Sequence, residues 1–391
     1  MSLGTALSTQ LPGLGRSCES EHGSSQSRLA SRSARPFSPA KARPGRRLLG
    51  DPPRQNGGRT ERRIPIVLIH LDTDFGGDPD DACALAMLLG WPGVELVGIT
   101  TTADREGRRA GYVAHCLALA GRDDIPVAAG AGVSLTTLCR ADPVIGDERH
   151  WPNTLAPRPS PPGAALDLLS HSIAHGATIV AIGPYTNLAL LEVLRPGSLH
   201  QVPVVVMGGW VQPPAEGLPA WGPEMDFNVQ WDTRAVEIVA ATADLTLVTL
   251  PATLKTQLRA ADLPRLRASG PLGALLARQS EAHAPDARMG ELGRAHAGLA
   301  DDLLNFHYDP IACAVAAGWP GAVVEEMHLT PMLKGELLRF QPRPKGRLTR
   351  VVVNLDGAAF RERWHNAVEA AQPGSMTLRT SLRQRSSQRL A

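Results

Sequence analysis

The sequence predicts an open α/β fold in which a mainly parallel central sheet carries helices on both faces. Three observations support this prediction. From residue 64 onward, short apolar runs alternate with segments of helical apolar spacing, and this alternation is typical of parallel sheets. The apolar runs are continuous, as strands buried on both faces require. The sequence shows no internal repeat.

The predicted elements follow one another in a regular order. The strands cover residues 64–72, 94–101, 125–129, 177–182, 202–207 and 245–250. The helices cover residues 80–89, 106–120, 163–175, 186–194 and 232–242. Beyond residue 255 the pattern becomes more helical, and residues 322–355 have the composition of late strands, with antiparallel pairing at an edge. A helix over residues 357–371 closes the domain.

The two ends of the chain differ in composition from the rest. Residues 1–63 hold 12 Lys and Arg against 4 Asp and Glu, are rich in Ser, Gly and Pro, and show no apolar period. We therefore predict a disordered basic arm over 1–63, one domain over 64–372 and a disordered tail over 373–391. The arm lacks the apolar stretch of a secretory signal. An organelle transit peptide and a nucleic-acid-binding arm are the disfavoured alternatives.

Apolar runs and cysteines bear on the compartment. No apolar run reaches the ~18 residues that a membrane span needs. The five cysteines form no CxxC pair, and Cys83, Cys116 and Cys313 lie among alanines and leucines, as buried thiols do. We therefore predict a cytoplasmic protein without a membrane segment. The sequence leaves the oligomeric state open, with a homodimer or a homotetramer as the assemblies considered.

A dense group of carboxylates follows the first predicted strand. Five aspartates fall within ten residues, namely Asp72, Asp74, Asp78, Asp80 and Asp81. Ligands of open α/β sheets bind beyond the carboxyl ends of the strands, and so much negative charge there is unfavourable without a cation. We therefore predict a hard divalent cation with oxygen ligands. Helix caps and Asx turns are the structural alternative, and an aspartyl-phosphate phosphotransferase with magnesium is the chemical one.

This aspartate segment and five later motifs carry a resemblance to a known family. The motifs are Asp72-Thr73-Asp74 with Asp80-Asp81-Ala82, Val97-Gly98-Ile99-Thr100-Thr101, Gly183-Pro184-Tyr185-Thr186-Asn187-Leu188-Ala189, Met207-Gly208-Gly209, Asp226-Phe227-Asn228 and Tyr308-Asp309-Pro310. In order and spacing they resemble the inosine-uridine preferring nucleoside hydrolases. The resemblance implies their Rossmann-like fold and the calcium-dependent hydrolysis of the N-glycosidic bond of a ribonucleoside or related N-riboside. The expected partner is a small nucleoside-like substrate.

The resemblance also implies a role for each matching residue. By motif position, the ligands of Ca²⁺ would be Asp74, Asp81, Asp309 and the backbone carbonyl of Thr186. Asp80 would take a proton from the attacking water as general base, and Asp72 would orient the loop without touching the ion. Independently of the resemblance, His307 is a candidate proton donor because it is adjacent to the proposed site. The substrate contacts would be Asp226, Asn228, Tyr308 and Arg105.

Several of these residues have structural alternatives. The structural alternatives are a helix cap for Asp309, a helix start for Thr186 and a turn residue for Asn228. His307 has the alternative of a satisfied structural histidine. The loop also holds Gly77-Asp78-Pro79 where the shortest family form has one residue, so Asp78 is an alternative base.

The ribose-binding positions depart from the family pattern. Arg105 and Ala220 stand where the family has asparagines, Asp226 replaces a glutamate and Tyr308 a histidine. We therefore expect an altered sugar preference, and a catalytically weak nucleoside-binding homologue is the alternative function. The Arg105 guanidinium suits a carboxylate or phosphate on the substrate, unless it faces solvent and pairs with Asp104 or Glu106.

Overall fold

The computed structural model describes residues 66–140, 149–152 and 154–373. These residues form a nine-stranded sheet with helices packed around it. Its strands, with a separate pair β7–β8, are β1 (Val67–Thr73), β2 (Val94–Thr101), β3 (Val127–Ala129), β4 (Thr178–Ala181), β5 (Pro203–Met207), β6 (Asp244–Val248), β7 (Gln257–Arg259), β8 (Leu303–Phe306), β9 (Ala322–Lys334), β10 (Leu337–Pro342) and β11 (Arg347–Leu355). The arm predicted over 1–63 and all but the first residue of the predicted tail lie outside the described residues.

The strand order is β10-β9-β11-β6-β5-β4-β1-β2-β3. Pairing is parallel from β11 to β3, while β9 pairs antiparallel with both β10 and β11. The mainly parallel open sheet predicted from the sequence is therefore confirmed, and the antiparallel strands lie at one edge as expected. The short pair β7–β8 was not predicted, because strands of three and four residues hold too few side chains to show a period.

The α-helices of the described residues are α1 (Asp80–Gly90), α2 (Arg108–Leu119), α3 (Ala164–Ala174), α4 (Thr186–Leu194), α5 (Phe227–Gln230), α6 (Thr233–Thr242), α7 (Leu250–Thr253), α8 (Leu263–Ala268), α9 (Gly270–Asp286), α10 (Met289–Ala295), α11 (Tyr308–Ala316) and α12 (Gly357–Ala370). Helix α2 begins two residues later than predicted. Glu106 and Gly107 have φ angles of +64° and +76°, and left-handed backbone of this kind cannot belong to a right-handed helix. Among the described residues, no helix combines the length and apolar character needed to cross a membrane.

Both faces of the sheet are buried, and strand β5 shows how. Val204 and Val206 pack in one apolar cluster with residues of α3, α4 and α6. Val205 and Met207 pack in the other cluster with residues of α1, α11 and α12. Successive residues of a strand point to opposite faces, so a strand that is covered on both sides must be apolar throughout. This is the physical origin of the continuous apolar runs in the sequence.

Helices α1 and α12 pack closely together behind the sheet. The indole nitrogen of Trp364 donates a hydrogen bond to the backbone carbonyl of Cys83 over 3.1 Å. The thiols of Cys83, Cys116 and Cys313 are buried and free, as predicted. Because α1 begins with Asp80 and Asp81, its contact with α12 also holds these two carboxylates in place.

The closest approach of the two helices generates a stability prediction. A Cβ atom added at Gly90 would lie 1.8 Å from the carbonyl oxygen of Ala367 and 2.8 Å from the amide nitrogen of Ala371. Gly90→Ala should therefore lower the free energy of unfolding by at least ~2 kcal/mol, in the range typical of overpacking. Urea unfolding measures this change.

Gly290→Ala is the matched control for this substitution. Gly290 lies in α10, and the only atom near its added Cβ would be the mobile guanidinium end of Arg294, at 3.4 Å. This variant should be as stable as the native protein or up to ~1 kcal/mol more stable, since alanine favours helix. Equal unfolding midpoints for the Gly90 and Gly290 variants would contradict the close packing of α1 on α12.

Candidate active site and metal centre

The predicted carboxylates meet at the carboxyl end of β1. Asp80 and Asp81 are the first two residues of α1, and Asp309 is the second residue of α11. One carboxylate oxygen from each of these three residues lies within 4.8 Å of the other two, and all three side chains are buried. The structure therefore joins the aspartate loop to a residue more than two hundred positions later in the chain.

These buried carboxylates repel one another. Burial raises the pKa of Asp80 well above its usual range, and the charges of Asp309 and Asp78 raise it further. Burial likewise raises the pKa of Asp81 and of Asp309, and the charge of Asp74 adds to both effects. A set of close, buried oxygen ligands whose anionic forms disfavour one another fits a hard divalent cation.

Hydrogen bonds fix the carboxylates of the loop individually. The Thr73 hydroxyl donates a short hydrogen bond to Asp81 Oδ1, and the Asp81 amide donates to Asp80 Oδ1 over 3.0 Å. Asp78 Oδ1 accepts from the Asp80 amide over 3.1 Å and from the side-chain amide of Asn305. Asp78 is therefore anchored beside the cluster of Asp80, Asp81 and Asp309 and is not one of its three members.

Asp72 lies beneath this loop and is completely buried. Its Oδ1 atom accepts hydrogen bonds from the Thr100 hydroxyl over 2.5 Å and from the Asn187 side-chain amide over 2.7 Å. Asn187 also donates to the Thr101 carbonyl and accepts from the Ala131 amide. One amide side chain thus ties the ends of β1 and β2 to the loop after β3. The sequence placed Asn187 in a motif but assigned it no role.

Arg109 is a second residue whose part was not foreseen. Its side chain is buried, with the residue 8% exposed, and it donates to the carbonyls of Ala103 over 2.9 Å and Phe75 over 3.1 Å. Its charge lowers the pKa of Asp74 and of Asp81, against the larger effect of burial, which raises both. Arg109 therefore clamps the loops that follow β1 and β2 and supplies positive charge to the aspartate cluster.

Asp226 and Asn228 lie at the carboxyl ends of β4 and β5. Asp226 accepts hydrogen bonds from the Gly209 amide over 2.6 Å and from the Val229 amide over 3.2 Å, and so caps α5. The Asn228 side-chain amide donates to the carbonyls of Ile182 and of Met207. Both residues thus stabilise the loops at the carboxyl edge of the sheet, where Asp72 also lies. Asn228 belongs to a helix rather than to a turn.

Asp309, Thr186 and Tyr308 lie at the start of helices that point at this edge. The cap residue of α11 is His307 and no side chain caps that helix, so the helix-cap alternative for Asp309 is not realised. Thr186 is the first residue of α4, and its hydroxyl donates to Asp232 over 2.7 Å. Burial and the nearby charges of Asp78, Asp80 and Asp309 raise the pKa of Tyr308.

The geometry does not favour His307 as a proton donor or Arg105 as a substrate contact. The His307 ring is 1% exposed, packs 4.5 Å from Trp364 and 5.6 Å from Phe360 between ring centres, and has no hydrogen-bond partner among the described residues. Burial lowers the pKa of His307 to about 3, so it holds no extra proton to donate at neutral pH. The Arg105 side chain is 40% exposed and lies 3.9 Å from Glu106, which favours its solvent-facing alternative.

Comparisons with known proteins agree with this fold. The family described as inosine-uridine preferring nucleoside hydrolase matches residues 69–362. The pyrimidine-specific ribonucleoside hydrolase RihA of Salmonella schwarzengrund is 36% identical over 227 residues, which are 55% of this chain and 69% of the relative. A plant nucleoside hydrolase structure aligns with a TM-score of 0.63 at 23% identity, over 78% of this chain and 100% of its own. The purine-preferring ribonucleoside hydrolase from Gardnerella vaginalis aligns with a TM-score of 0.62 at 21% identity, over 78% of this chain and 98% of its own.

Asp226 generates a prediction about pH. Burial raises its pKa to about 6, so the folded protein holds this proton more tightly than the unfolded chain does. Its contribution to stability is therefore greatest below about pH 4 and is lost as the pH rises through 6. Asparagine at this position cannot titrate. We compare the free energy of unfolding of native protein with that of Asp226→Asn. The value for native protein minus the value for the variant should fall by about 2–3 kcal/mol between pH 4 and pH 7.

Urea unfolding of both proteins across this pH range, with chelator present, measures the difference. Groups that the two proteins share cancel in the comparison, so the change with pH reports Asp226 alone. A difference that stays constant from pH 4 to pH 7 would show that Asp226 is ionised in the folded protein without cost.

Proposed function

The chain belongs to the inosine-uridine preferring nucleoside hydrolase family, and we propose that it hydrolyses the N-glycosidic bond of a ribonucleoside or a related N-riboside, releasing base and ribose. The observation that carries the proposal is the buried meeting of Asp80, Asp81 and Asp309 at the carboxyl edge of the sheet. A pyrimidine ribonucleoside is the first substrate to test, because the RihA relative is named pyrimidine-specific.

We propose Ca²⁺ as the cofactor of this site. Asp74, Asp81, Asp309 and the backbone carbonyl of Thr186 would hold it, and the mutual electrostatic effects of Asp74, Asp81 and Asp309 support their grouping. Calcium takes 6–8 oxygen ligands, so the four protein groups leave positions for water and sugar hydroxyls. Bound there, the ion would acidify the attacking water and stabilise negative charge.

Asp80 is the residue proposed to take the proton. Its carboxylate lies at the start of α1, where the Asp81 amide holds Oδ1, and Oδ2 is the atom proposed to accept the proton of the attacking water. Burial and the charge of Asp309 raise its pKa, and a carboxylate with a raised pKa is a stronger base. The neighbouring carboxylates would stabilise the positive charge that develops on the sugar as the bond to the base breaks.

The aspartyl-phosphate alternative would use Asp72 or Asp74 as nucleophile, and the burial of Asp72 argues against the first of these two residues. Asp72 is inaccessible to solvent, and its Oδ1 atom already accepts two hydrogen bonds. A nucleophile must reach the substrate, and Asp72 cannot do so without breaking these bonds. Replacing Asp74 and looking for a phospho-enzyme tests the second nucleophile directly.

Metal removal tests the proposed cofactor. Uridine, cytidine and inosine are incubated with native protein and assayed for free ribose, with and without chelator. Chelation should abolish ribose release, and added Ca²⁺ should restore it. The melting temperature should fall in parallel, since calcium at a hundred times its Kd stabilises the folded state by about 2.7 kcal/mol. Full ribose release from metal-free protein would contradict the calcium dependence.

Asp80→Asn tests the proposed base. The variant keeps the size and one oxygen of the side chain but cannot hold the proton, so kcat should fall by ~10²–10⁴-fold. Calcium binding, measured by calorimetry, should persist. Asp78→Asn is the matched comparison, because Asp78 is anchored by Asn305 beside the site and should matter less. A larger loss of kcat in Asp78→Asn than in Asp80→Asn would assign the base to Asp78.

A further inference from the structure

A line of buried hydrogen bonds connects helix α3 to Asp72 through strands β1 and β2. Ser172 Oγ lies 2.8 Å from His70 Nδ1, and His70 Nε2 lies 3.0 Å from Thr100 Oγ1. The Thr100 hydroxyl in turn donates to Asp72 Oδ1 over 2.5 Å. All four residues are at most 1% exposed, so water does not substitute for any of these contacts.

The sheet register brings the side chains of His70, Thr100 and Asp72 to one face of the sheet. His70 pairs with Gly98 across β1 and β2, and Asp72 pairs with Thr100. Residues two positions apart in a strand face the same side of the sheet. A Cβ atom at Gly98 would lie 3.0 Å from His70 Nδ1, so glycine at this position leaves the space that the imidazole ring occupies.

The hydrogen bonds of this line run in one direction. Asp72 Oδ1 is the acceptor of both the Thr100 hydroxyl and the Asn187 amide, so the one hydroxyl proton of Thr100 is donated to Asp72. The Thr100 oxygen then accepts from His70 Nε2–H. Burial lowers the pKa of His70 to about 3, so the ring is neutral and its Nδ1 must accept the hydroxyl proton of Ser172.

We infer that His70 is a positioning residue for the site. By donating to Thr100, it holds the Thr100 hydroxyl as a donor to Asp72 Oδ1. This donor fixes the orientation of the Asp72 carboxylate under the aspartate loop. The inference rests on the proposed function. Asn187 holds the same oxygen from the other side. Oδ2 of Asp72 is buried and has no hydrogen-bond partner among the described residues.

The position of Asp72 explains why its orientation matters. The next residue, Thr73, donates to Asp81, and the one after it is Asp74. The same Oδ1 atom accepts from Asn187, the residue after Thr186. A turn of the Asp72 carboxylate would therefore remove a hydrogen bond next to segments that carry proposed calcium ligands. Residues that orient metal ligands from outside typically change metal affinity or activity by about 10–100-fold when they are replaced.

Calcium affinity of the full chain, measured by calorimetry, tests the role of His70. His70→Met fills the space but offers no donor to Thr100, and should weaken calcium binding by about 10–100-fold. His70→Gln places an amide nitrogen close to the position of Nε2, and should bind calcium within about threefold of native protein, since the donor is restored. Ile69→Ala, at the buried apolar neighbour of His70, is the control for lost packing and should leave calcium affinity unchanged.

A double substitution shows whether His70 acts through Thr100. If it does, His70→Met combined with Thr100→Val should bind calcium no more weakly than the worse of the two single variants. Fully additive losses, or equal losses in His70→Met and His70→Gln, would overturn the inference. So would native calcium affinity in His70→Met, even where ribose release by native protein is confirmed. Calcium binding by a native protein that releases no ribose would instead refute the proposed function alone, while the affinities of the variants still decide the role of His70.

Discussion

Repulsion among buried carboxylates is the constraint around which the rest of the site is arranged. The residues that share the carboxyl end of the sheet are Asp72, Asp74, Asp80, Asp81 and Asp309. Ionised carboxylates taken out of water cost several kcal/mol each unless they are paired or hydrogen-bonded. The structure offsets part of this cost with hydroxyl and amide donors and with the guanidinium of Arg109. The remaining negative charge would be neutralised by a divalent cation bound among these carboxylates. The proposed hydrolysis uses that cation.

The fold serves this arrangement because the carboxylates are distributed over several rigid elements. Asp72 belongs to a strand that is buried on both faces, Asp80 and Asp81 begin a helix packed against α12, and Asp309 begins another helix. Donors from β2 and α4 meet on Asp72. A parallel sheet brings these segments together because its strands all end at one edge. Rigid elements therefore hold the charged groups close together despite their repulsion.

The fold class and the aspartate loop could be predicted from the sequence because both leave a local signal, a continuous apolar run in one case and a dense group of carboxylates in the other. Contacts between distant segments leave none. In the sequence, Arg108 and Arg109 are equivalent residues at the start of a helix. In the structure, the direction in which each side chain leaves the helix exposes Arg108 and buries Arg109. His307 and Asp309 are two positions apart, yet one faces α12 and the other the carboxylates. His70 acquires its partners from β2 and α3, far away along the chain.

The most direct test of the account is the position of calcium in a crystal of the native protein. Diffraction data collected where calcium scatters anomalously would show whether an ion lies at the end of β1 and which oxygens surround it. The account predicts one peak with Asp74, Asp81, Asp309 and the carbonyl of Thr186 at about 2.3–2.6 Å. A peak bound by Asp78 and Asp80 instead, or no peak in this cluster at saturating calcium, would contradict it.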